Sequence, residues 1–346
     1  MDESPSRFLR ASRRQPVDRT PVWFMRQAGR YMAEYRAIRQ QHSMLEICAN
    51  AELSAEVTLQ PMRHLDVDAA IIFADLLPPL IPMGMDLEYA AGEGPVIHNS
   101  VRHAADVRNL RAYDPQEYLG PTFDAIRFVR QELPASKALI GFAGAPFTLA
   151  SYMIEGGSSR NYLRSKQLMY GEPDVWHELM SKLAEMTSRY LTAQIRAGAD
   201  AVQIFDSWVG ALSPRDYHAF VFPHVRRIVA NLESLNVPVI LFGTGTEGLL
   251  DQFAATGADV VGLDWRVTIK RGWERAGQDV AVQGNLDPVL LFAPRDEIER
   301  QVRAILDEAG GRDGHIFNLG HGILPGTPVE NVQFVADLVH RMTERA

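Results

Sequence analysis

Eight short, apolar, β-branched runs recur along this chain, each followed by a turn and then a helical stretch. They are Pro21–Met25, Ala69–Ala74, Ala138–Ala143, Asp200–Phe205, Pro238–Phe242, Asp259–Leu263, Asp279–Gln283 and His315–Leu319. Their hydrophobicity is nearly continuous rather than alternating, as strands covered on both faces require. Between them the period becomes helical. Trp176 to Ile195 carries Leu179, Leu183, Met186, Tyr190 and Leu191 on one face and ends at Gly198. Thr327-Pro328-Val329-Glu330 predicts a helix start with an N-cap, a first-turn proline and a capping-box glutamate. Repeated strand–helix units predict parallel strands with right-handed crossovers. Eight of them predict an α/β fold of the (β/α)8 TIM-barrel type, with an open doubly wound sheet as the alternative.

No linker, low-complexity tract or longer repeat divides the 346 residues. The expectation is one catalytic domain over 1–346, with 1–18 as a basic N-terminal extension. Two connections are long. After the second run, Pro78-Pro79 and Pro82 break the chain and Val96–Val101 predicts a small hairpin around Asn99-Ser100. After the third, Gly144 to Asn161 reads as a lid-like loop.

At 46% hydrophobic residues the chain is too apolar for disorder. No apolar run approaches the ~20 residues of a membrane span, and no signal peptide opens the sequence, so a soluble cytoplasmic protein is expected. The single cysteine, Cys48, excludes an internal disulfide and a four-cysteine metal site. A net charge of −8 argues against nucleic acid as the main partner. Residues 1–40 nevertheless hold nine arginines against four acids, a basic region on an acidic body that suggests a local anion site.

In a barrel, chemistry sits at the carboxyl ends of the strands. The residues just past the runs are Arg26, Asp75, Gly144, Asp206 with Ser207, Gly243, Asp264, Gly284 with Asn285, and Gly320 with His321. Arg26 and Arg30 stand four apart, on one face if their segment is helical, and flank Gly29. Two planar guanidinium forks at a rim suggest a polyanionic ligand, against a plain ion pair with a surface acid such as Glu34. Asp75 ends a wholly apolar run, where a carboxylate is costly unless paired or hydrogen-bonded. A helix cap or an internal salt bridge would also satisfy it. His321, between two glycines, is suited to donate to a carboxylate or move a proton, or simply packs in the turn. His315, at the opposite end of its strand, reads as structural. Gly243-Thr244-Gly245-Thr246-Glu247-Gly248 has the outline of a dinucleotide fingerprint, but its glutamate would repel a pyrophosphate, and a glycine-rich barrel loop is the better reading.

Arg19-Thr20-Pro21-Val22-Trp23-Phe24-Met25-Arg26-Gln27-Ala28-Gly29-Arg30-Tyr31 resembles the N-terminal signature of the uroporphyrinogen decarboxylase family. Gly144-Ala145-Pro146-Phe147-Thr148-Leu149, running on to Tyr152-Met153-Ile154-Glu155-Gly156-Gly157, is similar to its second signature. Ile72-Phe73-Ala74-Asp75, Gln283-Gly284-Asn285-Leu286-Asp287-Pro288 and Asn318-Leu319-Gly320-His321-Gly322 follow in family order. Ala33 departs from it, where proline is usual. The resemblance implies a homodimeric (β/α)8 barrel of tetrapyrrole biosynthesis, without cofactor or metal. Its reaction converts the four acetates of uroporphyrinogen III to methyl groups, giving coproporphyrinogen III and carbon dioxide. It also implies Asp75 and Arg26 as catalytic residues, with Arg26, Gln27, Arg30, Asp75, Tyr152, Ser207 and His321 binding substrate. A zinc-dependent corrinoid methyltransferase on a related barrel would need further cysteine and histidine ligands. A non-catalytic tetrapyrrole carrier would need the arginines but not Asp75.

Overall fold

The apolar runs form strands that lie side by side in chain order. The computed structural model describes residues 6–90 and 94–345. Its main sheet is parallel and seven-stranded: β1 (Ala69–Ile71), β4 (Ala138–Gly144), β5 (Ala201–Asp206), β6 (Val239–Gly243), β7 (Val260–Gly262), β8 (Ala281–Gln283) and β9 (His315–Ile316). Helices return the chain between them. The longest, Pro173–Ala197, ends at Gly198, whose φ of 122° a side chain would resist. The strand residues are almost wholly buried, as their unbroken hydrophobicity requires.

Pro21–Met25, expected as a strand, makes one parallel bridge, Val22 to Phe317. Its backbone nonetheless bonds on both sides. Phe317 N donates to Pro21 O at 2.9 Å, and Asp68 N donates to Val22 O at 2.7 Å. The sheet curls enough for interior side chains to meet across it. Trp23 Nε1 donates to Gln283 Oε1 at 2.8 Å, and Gln283 Nε2 donates to Gln203 Oε1 at 3.1 Å.

Other expectations shift. The hairpin pairs β2 (Leu87–Ala90) with β3 (Gly94–Ile97), so both of its strands precede Asn99-Ser100. The run from Gly144 to Asn161 is helix from Pro146 to Glu155. Pro146 suits a first helical turn, Phe147, Leu149, Ala150 and Met153 bury its face, and Gly156 at φ 87° ends it. The last helix, Val329–Thr343, starts without a capping box: its N-cap is Pro328, one residue later than expected and with no side chain to accept, and the Thr327 hydroxyl donates to Leu324 O. The basic N-terminus is anchored within the described part: the helix Arg7–Ser12 buries Phe8, and Arg7 bonds Asp18 and Asp68.

Candidate active site

The loop that carries Arg26 is tied to the end of β9. Met25 N donates to Asn318 Oδ1 at 3.0 Å, and Ile323 N donates to Met25 O at 2.8 Å. Arg26 is held at φ 61°, a left-handed conformation that costs a side-chain-bearing residue roughly 1–2 kcal/mol. Its stem then lies across Gly322, where a Cβ would come within 2.4 Å of Arg26 Cδ. Segment 25–32 is turn and bend, and the helix begins only at Ala33. The arginine spacing is therefore a turn's, not a helical face's. Arg30 is exposed and lines an open cavity of about 830 Å³ with Tyr31, Tyr35, Arg36 and Arg39. Arg36 fixes this turn by donating to Arg30 O and Tyr31 O.

Gln27 points the other way. It is buried, accepting from Phe24 N at 3.0 Å and donating to Ala69 O at 2.9 Å, so its amide locks the loop onto β1.

Asp75, four residues past β1, is half-buried. Its Oδ1 accepts Leu77 N at 3.1 Å and the Tyr89 hydroxyl at 2.5 Å, while Oδ2 has no hydrogen-bond partner among the described residues. Tyr89 comes from β2, so the hairpin delivers it. No motif marks it, since its role depends on the hairpin folding back. Burial, and then the Asp75 charge, push the Tyr89 phenol well above its ordinary range, so it stays a donor. Cys48 lies behind Asp75, its thiol pushed up to about 12 by burial and then by that same charge.

Tyr152 projects from the helix Pro146–Glu155. Burial, and then Asp75, raise its phenol to about 12, while Arg26 opposes the shift. Its ring lies 4.0 Å from that of Trp208, next to Ser207 at the end of β5. Ser207 is half-buried and its carbonyl accepts the Thr244 hydroxyl at 2.6 Å. In the same glycine-rich loop Gly245 N donates to the Asp264 carboxylate. Those groups are spent on packing loop against loop.

His321 follows β9. Burial, and then the charges of Arg26 and Arg266, lower its imidazole to about 4, so it is neutral at pH 7. Nδ1 accepts Gly322 N at 2.7 Å, which leaves the proton on Nε2 for an outside acceptor. The rim therefore couples Arg26 to His321 and Tyr152, and Tyr152 to Asp75. Arg30 stands further out. Among the described residues no group of three or more His, Cys, Asp or Glu is arranged to hold a metal ion, and no helix is long and apolar enough to cross a membrane.

Comparison with known proteins gives the family of the chain. The family model described as uroporphyrinogen decarboxylase (URO-D) matches residues 3–342. The uroporphyrinogen decarboxylase of Sorangium cellulosum (strain So ce56) is 59% identical over 334 residues, covering 96% of this chain and 95% of the relative. That of Roseiflexus sp. (strain RS-1) is 58% identical over 340 residues, covering 97% and 98%. Among solved structures, a methyltransferase from Methanosarcina mazei superposes with a TM-score of 0.82 over 97% of this chain and 98% of that one. At 21% identity this is a likeness of fold alone. The chain belongs to the uroporphyrinogen decarboxylase family.

Proposed function

We propose that this chain is a carboxy-lyase that converts the four acetate side chains of uroporphyrinogen III to methyl groups, giving coproporphyrinogen III and carbon dioxide in tetrapyrrole biosynthesis. Family membership and the identity to relatives so named support the reading. Within the chain, the observation that carries it is Asp75. One oxygen is fixed by Tyr89 and Leu77 N, and the other is uncommitted among the described residues, near Tyr152, which in turn feels Arg26 beside the neutral His321.

The reaction needs a place for the electron pair that carbon dioxide leaves behind, and the pyrrole supplies it. Protonating the ring carbon beside the acetate-bearing one makes a cation. The bond to the carboxylate breaks, and its electron pair quenches that cation as an exocyclic methylene. Protonation of the methylene and loss of the ring proton restore the pyrrole with a methyl group. One proton replaces one carbon dioxide.

Asp75 accepts from the pyrrole N–H groups and stabilises the cation, a preorganised charge in a low-dielectric site. Arg26 and Arg30 hold side-chain carboxylates, a role suited to planar, permanently charged forks. The proton comes ultimately from solvent and is delivered at Arg26, directly from its guanidinium or along a water that it holds and that solvent reprotonates. His321 donates from Nε2 to a carboxylate, Tyr152 and Ser207 orient the macrocycle, and Gln27 sets the Arg26 loop. The bonds flanking Pro21–Trp23 support that segment as the eighth stave of a closed (β/α)8 barrel. The same reading makes 1–346 one catalytic unit acting as a cytoplasmic homodimer, with no cofactor.

An anaerobic assay with freshly reduced uroporphyrinogen, resolving eight- to four-carboxyl products, tests this. Stepwise loss of carboxylates is expected, and Asp75→Asn should lose about 10²- to 10³-fold in kcat. Tight binding without product would defeat the reading in favour of a carrier.

A further inference from the structure

Gly320-His321-Gly322 runs between two cations. On one side the Arg26 stem crosses Gly322. On the other, Gly320 abuts the next loop so closely that a Cβ there would meet Trp265 N at 2.3 Å. The Trp265 ring stands edge-on to His321, with centroids 6.3 Å apart, and the Arg266 guanidinium lies 3.9 Å from the centre of that ring.

Arg266 is held unusually firmly for a side chain that is 54% exposed. Its Nη1 donates to Asp264 Oδ2 at 2.7 Å, and its backbone N–H donates to Asp264 Oδ1 at 2.9 Å. Asp264 is itself buried, and Asn285 Nδ2 bonds its backbone carbonyl at 2.7 Å. Among the described residues only Nη1 of the guanidinium is engaged by an acceptor. The plane is thus fixed by stacking and by one ion pair while Nε and Nη2 keep their donors. A cation needed only to neutralise Asp264 would not have to be laid out on an aromatic face beside a proposed substrate contact.

We propose that Arg266 is a third guanidinium of the substrate site, gripping a side-chain carboxylate of the porphyrinogen on the far side of His321 from Arg26. The inference rests on the proposed function. A macrocycle with eight carboxylates presents them around its whole circumference, whereas Arg26 and Arg30 come from one turn and serve one sector. Arg266 serves the sector above β7 and β8. The group is preorganised, so binding costs little of its rotamer freedom.

The test compares wild type, Arg266→Ala, Arg266→Gln and Arg266→Lys in the anaerobic assay. Arg266→Ala should raise KM for uroporphyrinogen about 5- to 20-fold, the loss of one charge-assisted contact, with kcat falling less than KM rises. Arg266→Lys should recover part of that loss. Arg266→Gln, which keeps an amide donor for Asp264 but no charge, should behave as Arg266→Ala does. In Arg266→Ala the His321 ring, followed by NMR titration, should ionise at higher pH, because one of the charges opposing its protonation is gone. A folded Arg266→Ala or Arg266→Gln with KM within about twofold of wild type overturns the proposal. So does a KM loss that Arg266→Lys does not relieve. A wild type that binds porphyrinogen without turning it over defeats the decarboxylase reading instead. The same fold-changes are then expected in Kd, and their absence there overturns the role of Arg266.

Discussion

Tyr89 carries the sharpest consequence at the scale of a single residue. Its hydroxyl is 2.5 Å from Asp75 Oδ1, and burial together with the Asp75 charge keeps it protonated. Removing it leaves that oxygen with Leu77 N alone, so the carboxylate loses a fixed orientation and part of its compensation for burial. Tyr89→Phe should therefore cost about tenfold in kcat, the worth of one hydrogen bond to a charged group, with little change in KM. A KM effect larger than the kcat effect would place Tyr89 in binding rather than in support of Asp75. The sequence marks Asp75 because a carboxylate closing an apolar strand is anomalous on its face. It does not mark Tyr89, one aromatic among several in a long connection, because the pairing with Asp75 exists only once the hairpin has folded back. Arg266 is hidden for a related reason: its meaning lies in what Trp265, Asp264 and the next loop do with it. Gln27 shows the opposite case. Its place in a signature block is plain in the sequence, while its inward side chain follows from the loop's need to satisfy Phe24 N and bond Ala69 O.

At the scale of elements, the loop after β9 makes two glycines answer differently to the same substitution. A methyl at Gly320 meets Trp265 N at 2.3 Å and Asp264 C at 2.9 Å, both backbone atoms that cannot step aside. A methyl at Gly322 meets Arg26 Cδ at 2.4 Å and Cγ at 2.7 Å, which belong to a side chain that can swing away. Gly320→Ala should destabilise the fold by about 1–3 kcal/mol and lower Tm, the range for overpacking. Gly322→Ala should leave Tm nearly unchanged while raising KM through a displaced Arg26. Thermal melts beside steady-state kinetics check the pair, and equal effects on Tm would defeat the argument. The element order behind this loop is legible in the sequence: seven of eight apolar runs become strands of one parallel sheet. What is not legible is local. Pro21–Met25 looks as strand-like as the rest but makes only one bridge, since its residues bend at once into the Arg26 turn. Gly144–Asn161 looks like a loop by its glycines and aromatics, yet its middle buries enough apolar surface to be helix.

The whole molecule responds to pH through groups of opposite sign. His224 and His315 are lowered to about 4 by burial first, and His321 by burial with Arg26 and Arg266. An unfolded chain binds protons at these positions from about pH 6.5 downward while the folded one refuses them until about 4, so their effect is stability lost as pH falls through that interval. His340 runs the other way. Burial alone would lower it, but its bonds to Asp66 and Asp68 raise it, and its contribution is lost as pH rises through that raised value. Asp66, pulled down first by His340, and Asp68, where His340, Lys137 and Arg7 outweigh burial, contribute stability that fails as pH drops below the ordinary carboxylate range.

Asp206 opposes the three lowered histidines. It is fully buried at the end of β5, where burial raises it to about 7 against the help of Thr148, whose hydroxyl donates to Oδ1 at 2.8 Å. Oδ2 has no partner among the described residues. Because the folded state holds this proton up to about pH 7 and the unfolded state releases it near 4, Asp206 withdraws stability as pH rises between those values. Asn at this position keeps the shape and an oxygen for Thr148 but carries no titrating proton. Asp206→Asn should therefore gain on wild type as pH rises from about 4 to about 7 and level off above that, by an amount approaching about 1.4 kcal/mol for each pH unit over which the two states differ by a full proton. Denaturant midpoints of both proteins at several pH values measure that difference. A difference independent of pH would mean that the Asp206 carboxyl ionises in the folded protein as it does in the unfolded one, and that its burial is offset by a contact other than Thr148.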